Sequence, residues 1–503
     1  MSARRVLPAG VGDADFGRAL AAFADAVGAQ HVLSHPEELM PYGRIMLPVP
    51  DEEHQPSAVV MAASVEEIQR VLVAARRWRI PLWTISTGRN FGYGSAAPAT
   101  AGQVVLDLKR MNRILGVDAE LGTALLEPGV TYQQLQAHLR ERDIKLWLDF
   151  PAPGPLVSPI GNTLERGGGL TPYGDHFQHA CGMEVVLADG SVLRTGLGGI
   201  ADTTSWQVHR YGYGPYVDGL FTQSNFGIVT KMGIWLMPAP PAHRTIMAQW
   251  WQDDDLGRAV EAIRPLRLAE TIPNFGILAN ATLILTSMTT RREVYDGPGA
   301  IPVARANEFA KTRGLPPWVY LFSLYGTPEQ IEVDTRLVKR ALETHGATLV
   351  LDIDDPMQRN ELSLQAFTLF NWNGGGGLCW FSPVAPNRGA DVVRQTDLAR
   401  RIMDAHGVDF MTGMTINGRD ILNVMPLVFN RADAAETARV RACFDALLTE
   451  FAAKGYGFYR TGIGFMDRVA QLHGHAGHEF ALRLKRAVDP LGILAPGKSG
   501  IHI

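Results

Sequence analysis

Two tyrosines and an arginine, set among glycines, are the side chains of this sequence best suited to chemistry. Tyr93 lies in Ser86-Thr87-Gly88-Arg89-Asn90-Phe91-Gly92-Tyr93-Gly94, directly after the strand-like Pro81-Leu82-Trp83-Thr84-Ile85. Tyr459 and Arg460 are neighbours in Gly455-Tyr456-Gly457-Phe458-Tyr459-Arg460-Thr461-Gly462. Glycine lets the backbone take positive φ and approach a ligand closely. Consecutive loop N–H groups can form a concave nest for a phosphate. Gly88, Gly92 and Gly94 do not follow the GxGxxG order, and no GK[ST] closes a P-loop. The local residues therefore leave two readings of the loop: a plain glycine-rich turn, or a pyrophosphate cradle. On the same footing, Tyr459-Arg460 reads as a packed tyrosine beside a surface arginine.

Other chemistries find little support. Cys181, Cys379 and Cys443 are widely spaced and form no CxxC pair, zinc pattern or disulfide framework. Without CxxCH the chain carries no c-type haem of its own. His176 and His473 read as structural, and no cluster has metal-ligand spacing, so no metal is expected. A net charge of -4 argues against a general nucleic-acid binder. With 46% hydrophobic and 19% charged residues over 503 positions, the chain reads as globular and long enough for two domains. No apolar run approaches a membrane span. The start, MSARRVLPAGVGDADF, has two arginines but no apolar stretch after them. No secretory signal is expected, hence a cytoplasmic location, with export alongside a partner as the alternative.

Short strands and helices alternate through the first half. Gly17 to Val27 has helical apolar spacing, and His35 to Pro50 is Pro-rich and irregular. Pro56 to Met61 reads as a strand. Ser64 is a good N-cap, with Glu67 in the capping-box position of a helix to about Arg77. Gln103 to Leu108 and Gly122 to Glu127 read as strands, and Tyr132 to Arg142 as a helix. Gly161 to Asp175 has too many glycines for a regular element. Ala188-Asp189-Gly190-Ser191 signals a hairpin. Pro238-Ala239-Pro240-Pro241 marks a boundary. Beyond it, helical patterns at 256–266, 331–344, 390–406 and 434–454 and strands at 318–325 and 347–351 suit a sheet backed by helices. The segment 480–503 reads as a helix followed by an irregular tail.

The loop 86–94 resembles the pyrophosphate loop of the vanillyl-alcohol oxidase and p-cresol methylhydroxylase family of FAD flavoproteins. The likeness continues through Val105 to Ile114, Leu126 to Tyr132, Gly161-Asn162-Thr163, Thr171 to His176, Phe221 to Lys231 and Ile493 to Gly500, in the family's order and over nearly the whole chain. It implies a two-domain α+β fold. Residues 1–237 would form the FAD-binding domain, 238–460 an α/β cap over the flavin, and 461–503 a segment returning to the FAD domain. It implies FAD bound by Ser86, Thr87, Gly88, Arg89, Asn90, Phe91, Gly92, Pro128, Gly161, Asn162, Thr163, Gly174, Gly227, Ile228, Val229 and Lys498, with Gly161 to Asp175 lying along the flavin. It implies that Tyr93, Tyr459 and Arg460 hold a para-substituted phenol as its phenolate, lowering a pKa that is ordinarily near 10.

Several residues depart from the family's pattern. Ala152 follows Leu148-Asp149-Phe150-Pro151 where the alcohol-oxidase branch has a carboxylate base, which favours the cresol branch. Asp149 is expected to make loop hydrogen bonds. The linkage tyrosine of the cresol branch is replaced by Phe370, and the linkage histidine of the oxidases by Leu378, so FAD is expected to be noncovalent. Trp380 matches an aromatic residue of the cresol branch. Gly413 stands for a glutamate, and Leu422-Asn423 for a histidine pair. With Phe370, Trp380, Gly413 and Asn423 around the substrate, the pocket should be more apolar and suit a substituent bulkier than methyl. Lys498 stands where the branch has arginine, and two readings of it are open: a cation that stabilises reduced, anionic flavin, or a member of a structural salt bridge.

The resulting expectation is a benzylic oxidation through a quinone methide, with electrons passing to a separate cytochrome c, in a homodimer. An oxidase releasing peroxide is the alternative, and a flavin-binding subunit without catalysis a further one.

Overall fold

The computed structural model describes residues 6–355, 360 and 368–503. Arg4 and Arg5 of the first sixteen residues lie outside them. A small sheet runs in the order Val32–Leu33, Ala58–Met61, Val104–Asp107, Leu82–Ile85, with its last three strands parallel. Those strands are almost continuously apolar, as a parallel sheet covered on both faces requires. On one face Val60, Leu82 and Val104 meet Phe16, Phe23, Ile68 and Leu72 of the helices Asp13–Val27 and Val65–Trp78. On the other, Val59, Trp83, Ile85 and Val105 join a cluster with Phe381, Phe444 and Phe451 from the second half of the chain. The loop at 86–94 thus leaves the carboxyl end of a parallel strand, where open α/β sheets bind ligands, at the seam between the two halves.

Ser64 caps its helix by accepting from Glu67 N at 3.2 Å, a contact worth about 1 kcal/mol. The reciprocal bond is displaced by one residue: the Glu67 carboxylate accepts from Ala63 N at 2.7 Å. A second, antiparallel sheet has the order Ile114–Asp118, Thr123–Leu126, Ile228–Trp235, Ala180–Val186, Val192–Arg194. The expected hairpin closes it through Leu187 N to Ser191 O at 2.9 Å.

A large antiparallel sheet follows: Thr348–Leu351, Ala242–Trp250, Trp318–Gly326, Ile277–Asn280, Gly413–Ile416, Asp420–Asn430, Gly376–Phe381. Helices Leu256–Leu268, Pro328–Thr344 and Gly389–Ala405 cover one face.

Three local readings differ from expectation. Residues 36–43 of the Pro-rich stretch form a helix, because Pro36 sits at its first turn, where a missing N–H costs nothing. The glycine-rich run is entered by the helix Pro159–Leu164, capped by Ser158. The long strand Asp420–Asn430, masked in sequence by Asn423 and Pro426, is held by pairing on both sides.

The tail runs back against the strand Leu82–Ile85. Leu82 N donates to Ile493 O and Ala495 N to Leu82 O, both at 2.7 Å. Lys485, fully buried, pairs with Asp489 at 2.7 Å and donates to Asn225 O and Leu494 O. Among the described residues no helix is long and apolar enough to cross a membrane.

Candidate active site

A cavity of about 910 Å³ opens along the seam. One end is backbone. Ser86, Thr87, Gly88, Arg89, Asn90 and Phe91 line it, and the N–H groups of residues 87 to 90 donate to no protein acceptor among the described residues. Gly88 has φ +69°, and a Cβ there would lie 2.9 Å from that of Ala96, so the turn admits no side chain. Pro128, Gly161 and Asn162 form a second wall, braced by Ser158 Oγ donating to Pro128 O at 2.6 Å. Gly174, Gly227, Ile228, Val229 and Lys498 complete it. A row of free backbone donors at one end of a long cavity fits a pyrophosphate, and the enclosing walls fit the rest of a flavin dinucleotide.

Two residues of the expected cofactor set play other parts. Thr163 is buried in its short helix and does not reach the cavity. Gly92 makes room for Trp380: a Cβ on it would lie 2.3 Å from the indole Nε1, which donates to Phe91 O at 3.0 Å.

The middle of the cavity is charged. Tyr93, Tyr459 and Arg460, separated by more than 360 positions, line it together. The Arg460 guanidinium lies 3.9 Å over the Tyr93 ring. Its Nη2 donates to Asn90 Oδ1, while Nε is buried without a hydrogen-bond partner and lies 3.9 Å from Glu165 Oε2. Tyr93 Oη is 3.5 Å from Ser382 Oγ. Burial pushes the Tyr93 pKa well up, and Tyr459 adds to this while Arg460 opposes it, so the Tyr93 hydroxyl keeps its proton and is available as a donor.

Glu165 accepts from Lys498. Burial favours its neutral acid, but Lys498 and then Arg460 outweigh burial and hold its carboxyl below the usual range. Glu165 escaped sequence reasoning. Its one signal was to be the only acid between Gly161 and Gly174.

A further wall is largely apolar, with Phe150, Ala152, Leu283, Gly413, Leu422 and Val424 on it, and Thr415, Asn417 and Asp420 line the cavity as well. Trp380 also lines it, its ring 6.5 Å from that of Tyr93 and inclined by 23°. Two expected pocket residues are corrected. Asn423 is fully buried on the opposite face of its strand, donating to Gln395 Oε1 at 2.9 Å and accepting from Thr412 Oγ1. Strand alternation sends Leu422 and Val424 inward instead. Phe370 packs against the apolar cluster around Trp372, while its neighbour Leu369 lines the cavity. Successive residues of the tight turn Thr368–Asn371 point in different directions. Leu378 is fully buried in the same cluster.

Asp149 makes the expected loop bonds, accepting from Leu170 N at 2.9 Å and from Thr171 Oγ1 at 3.1 Å. Burial raises its pKa to about 7 and lowers that of His176, 3.9 Å away, to about 3. The pair is therefore uncharged between about pH 3 and about pH 7. His176 Nδ1 lies 2.6 Å from Asn162 Oδ1 and steadies that wall.

Comparison with known proteins agrees with this geometry. The FAD binding domain family matches residues 56–196. The chain is 42% identical over 510 residues to the 4-cresol dehydrogenase [hydroxylating] flavoprotein subunit of Pseudomonas putida, covering 99% of this chain and 98% of that one. It is similar to the structure of p-cresol methylhydroxylase with substrate bound, at TM-score 0.97, 42% identity and 99% coverage of both chains. It is also similar to 4-ethylphenol oxidase from Gulosibacter chungangensis, in its isoeugenol complex, at TM-score 0.95, 32% identity and 99% coverage of both.

Proposed function

The chain belongs to the vanillyl-alcohol oxidase and p-cresol methylhydroxylase family and is an FAD-dependent oxidoreductase; from that premise we propose that it oxidises the benzylic carbon of a 4-substituted phenol. The observation that carries this reading is Arg460, buried beside Tyr93 and Tyr459 with its Nε unpartnered, at the junction of the cofactor cradle and an apolar pocket.

A phenol loses its proton near pH 10. A guanidinium and two hydroxyls that donate to the oxygen favour the anion, and each pKa unit they remove is worth about 1.4 kcal/mol. The phenolate oxygen pushes electron density into the ring as hydride leaves the benzylic carbon, and a neutral quinone methide results. Water then adds at that carbon and loses a proton, and the ring oxygen regains one, giving the benzylic alcohol. FAD, when bound, takes up the hydride. Tyr93, Tyr459 and Arg460 orient the ring.

The two electrons pass on to a separate cytochrome c, and the flavoprotein is a homodimer. Similarity to an oxidase supports a second reading, in which dioxygen takes the electrons and peroxide is released. FAD is held noncovalently, since neither Phe370 nor Leu378 can bond it. Acid precipitation should leave all flavin in the supernatant, whereas flavin carried down with the protein would overturn this. The division at 237/238 and 460/461 belongs to the same proposal, supported by the proline-rich turn and by the tail's bonds to Leu82.

Product analysis with 4-ethylphenol in ¹⁸O-labelled water tests the chemistry. The expected product is 1-(4-hydroxyphenyl)ethanol carrying the solvent oxygen. An unlabelled alcohol, or no oxidation of any 4-alkylphenol, would contradict it.

A further inference from the structure

We propose that Glu165 is a shared counter-charge that restrains both cations of the cavity, so that one carboxylate sets the ionisation of the bound phenol and the reducibility of the flavin together. This deepens, and rests on, the phenol-oxidising reading above.

Glu165 ends the short helix Pro159–Leu164, at its C-cap, and its side chain is 22% exposed. One oxygen accepts from Lys498, whose side chain is 9% exposed. The other lies 3.9 Å from Nε of Arg460, whose side chain is 10% exposed. It is the one acid within salt-bridge reach of either cation among the described residues. Its backbone carbonyl is fixed by Gln223 Nε2 at 3.2 Å, and the same amide holds Tyr459 O at 3.0 Å. The carboxylate is therefore tied to the segment that carries Arg460.

Arg166 is a further charged neighbour of Glu165, and its Nε donates to Thr222 Oγ1 at 3.2 Å; Arg89, Asp175 and Asp420 also line the cavity. Tyr93, its pKa pushed well up by burial, adds a hydroxyl but no charge. In so dry a place charges act strongly on one another. A negative charge beside Arg460 weakens its pull on a phenolate, and the same charge on Lys498 weakens that cation's pull on an anionic reduced flavin. A carboxylate serving only to hold Arg460 in place would act in the opposite sense, because its loss would let the guanidinium drift away.

The test uses the holoprotein with 4-fluorophenol, which has no benzylic carbon to oxidise, and reads the ionisation of the bound probe by ¹⁹F NMR across pH. The flavin midpoint potential is measured by dye equilibration. Glu165→Gln should lower the pKa of the bound probe by about one unit, a tenfold gain in phenolate affinity, and should raise the potential. Glu165→Asp should restore wild-type values of both. Lys498→Met leaves Glu165 uncompensated against Arg460, so it should raise the pKa of the bound probe, and this variant tests the idea even if Glu165→Gln folds poorly. A wild-type protein that lowers the probe's pKa, combined with a Glu165→Gln variant that raises it or leaves it unchanged, would overturn this inference alone. A wild-type protein that does not lower it would overturn the phenol reading, and this inference with it.

Discussion

The two ends of the cavity are built on opposite plans. The cradle is a contiguous stretch of chain, residues 86–91, in which the N–H groups of 87 to 90 donate to no protein acceptor among the described residues. The substrate end is made of side chains brought together from distant positions: Tyr93, Glu165, Trp380, Leu422 and Arg460. Backbone recognition requires small residues in a row. Side-chain recognition requires only that strands and turns point inward at the right places. The first plan leaves a local mark in sequence, and the second does not. On the function proposed above, the same difference would assign separate tasks, with cofactor affinity residing in the cradle and substrate choice and rate in the side chains.

Removing Arg460 should separate these tasks most sharply. Arg460→Met is expected to lower kcat/KM for 4-ethylphenol by about 10³-fold, as loss of a principal charge-stabilising donor does. FAD content should stay near that of the wild type. Steady-state kinetics alongside flavin absorbance per protein would check both, and parallel loss of flavin would erase the distinction between the two ends.

Much of the first plan was legible. Gly88, Asn90, Pro128, Gly161, Asn162 and Lys498 all line the cavity, as the family's motifs implied. Legibility failed where direction mattered. Asn423 and Leu422 are adjacent, and only the pairing of Asp420–Asn430 decides which faces the ligand. Phe370 and Leu369 differ in the same way across a tight turn. Glu165 was missed because its meaning depends on two cations contributed from positions 460 and 498.

Asp149 probes the scaffold beneath the cradle. Its folded pKa, about 7, lies above the ordinary value near 4. A group raised in this way contributes most below its unfolded pKa, and the contribution is lost as pH rises through the folded value. Relative to Asp149→Asn, wild-type stability should therefore fall between about pH 4 and pH 7, by about 4 kcal/mol once complete. Urea melts of both proteins at pH 5 and pH 8 would show this. An unchanged difference would mean that the carboxyl is already ionised at low pH.

Gly92 marks the border between the two plans. Gly92→Ala places a methyl against Trp380 Nε1 in a turn with φ +73°. The expected cost is about 2 kcal/mol of stability, read as a lowered Tm, with loss of substrate affinity exceeding any loss of FAD. The smallest effect belongs to the apolar wall. A Cβ on Gly413 already lies 3.0 Å from Leu283 Cδ2. Gly413→Val should shift preference from 4-propylphenol towards p-cresol by about tenfold, the size expected of a methylene or two in a filled pocket. Competing both substrates in one assay would measure it.

The most direct test of the central claim is anaerobic mixing of the purified holoprotein with 4-ethylphenol while flavin absorbance is followed, with the Arg460→Met variant alongside. The account predicts rapid bleaching in the wild-type protein and bleaching slowed by about 10³-fold in the variant. Flavin that stays oxidised in the wild-type protein, or that bleaches equally fast in both, would contradict it.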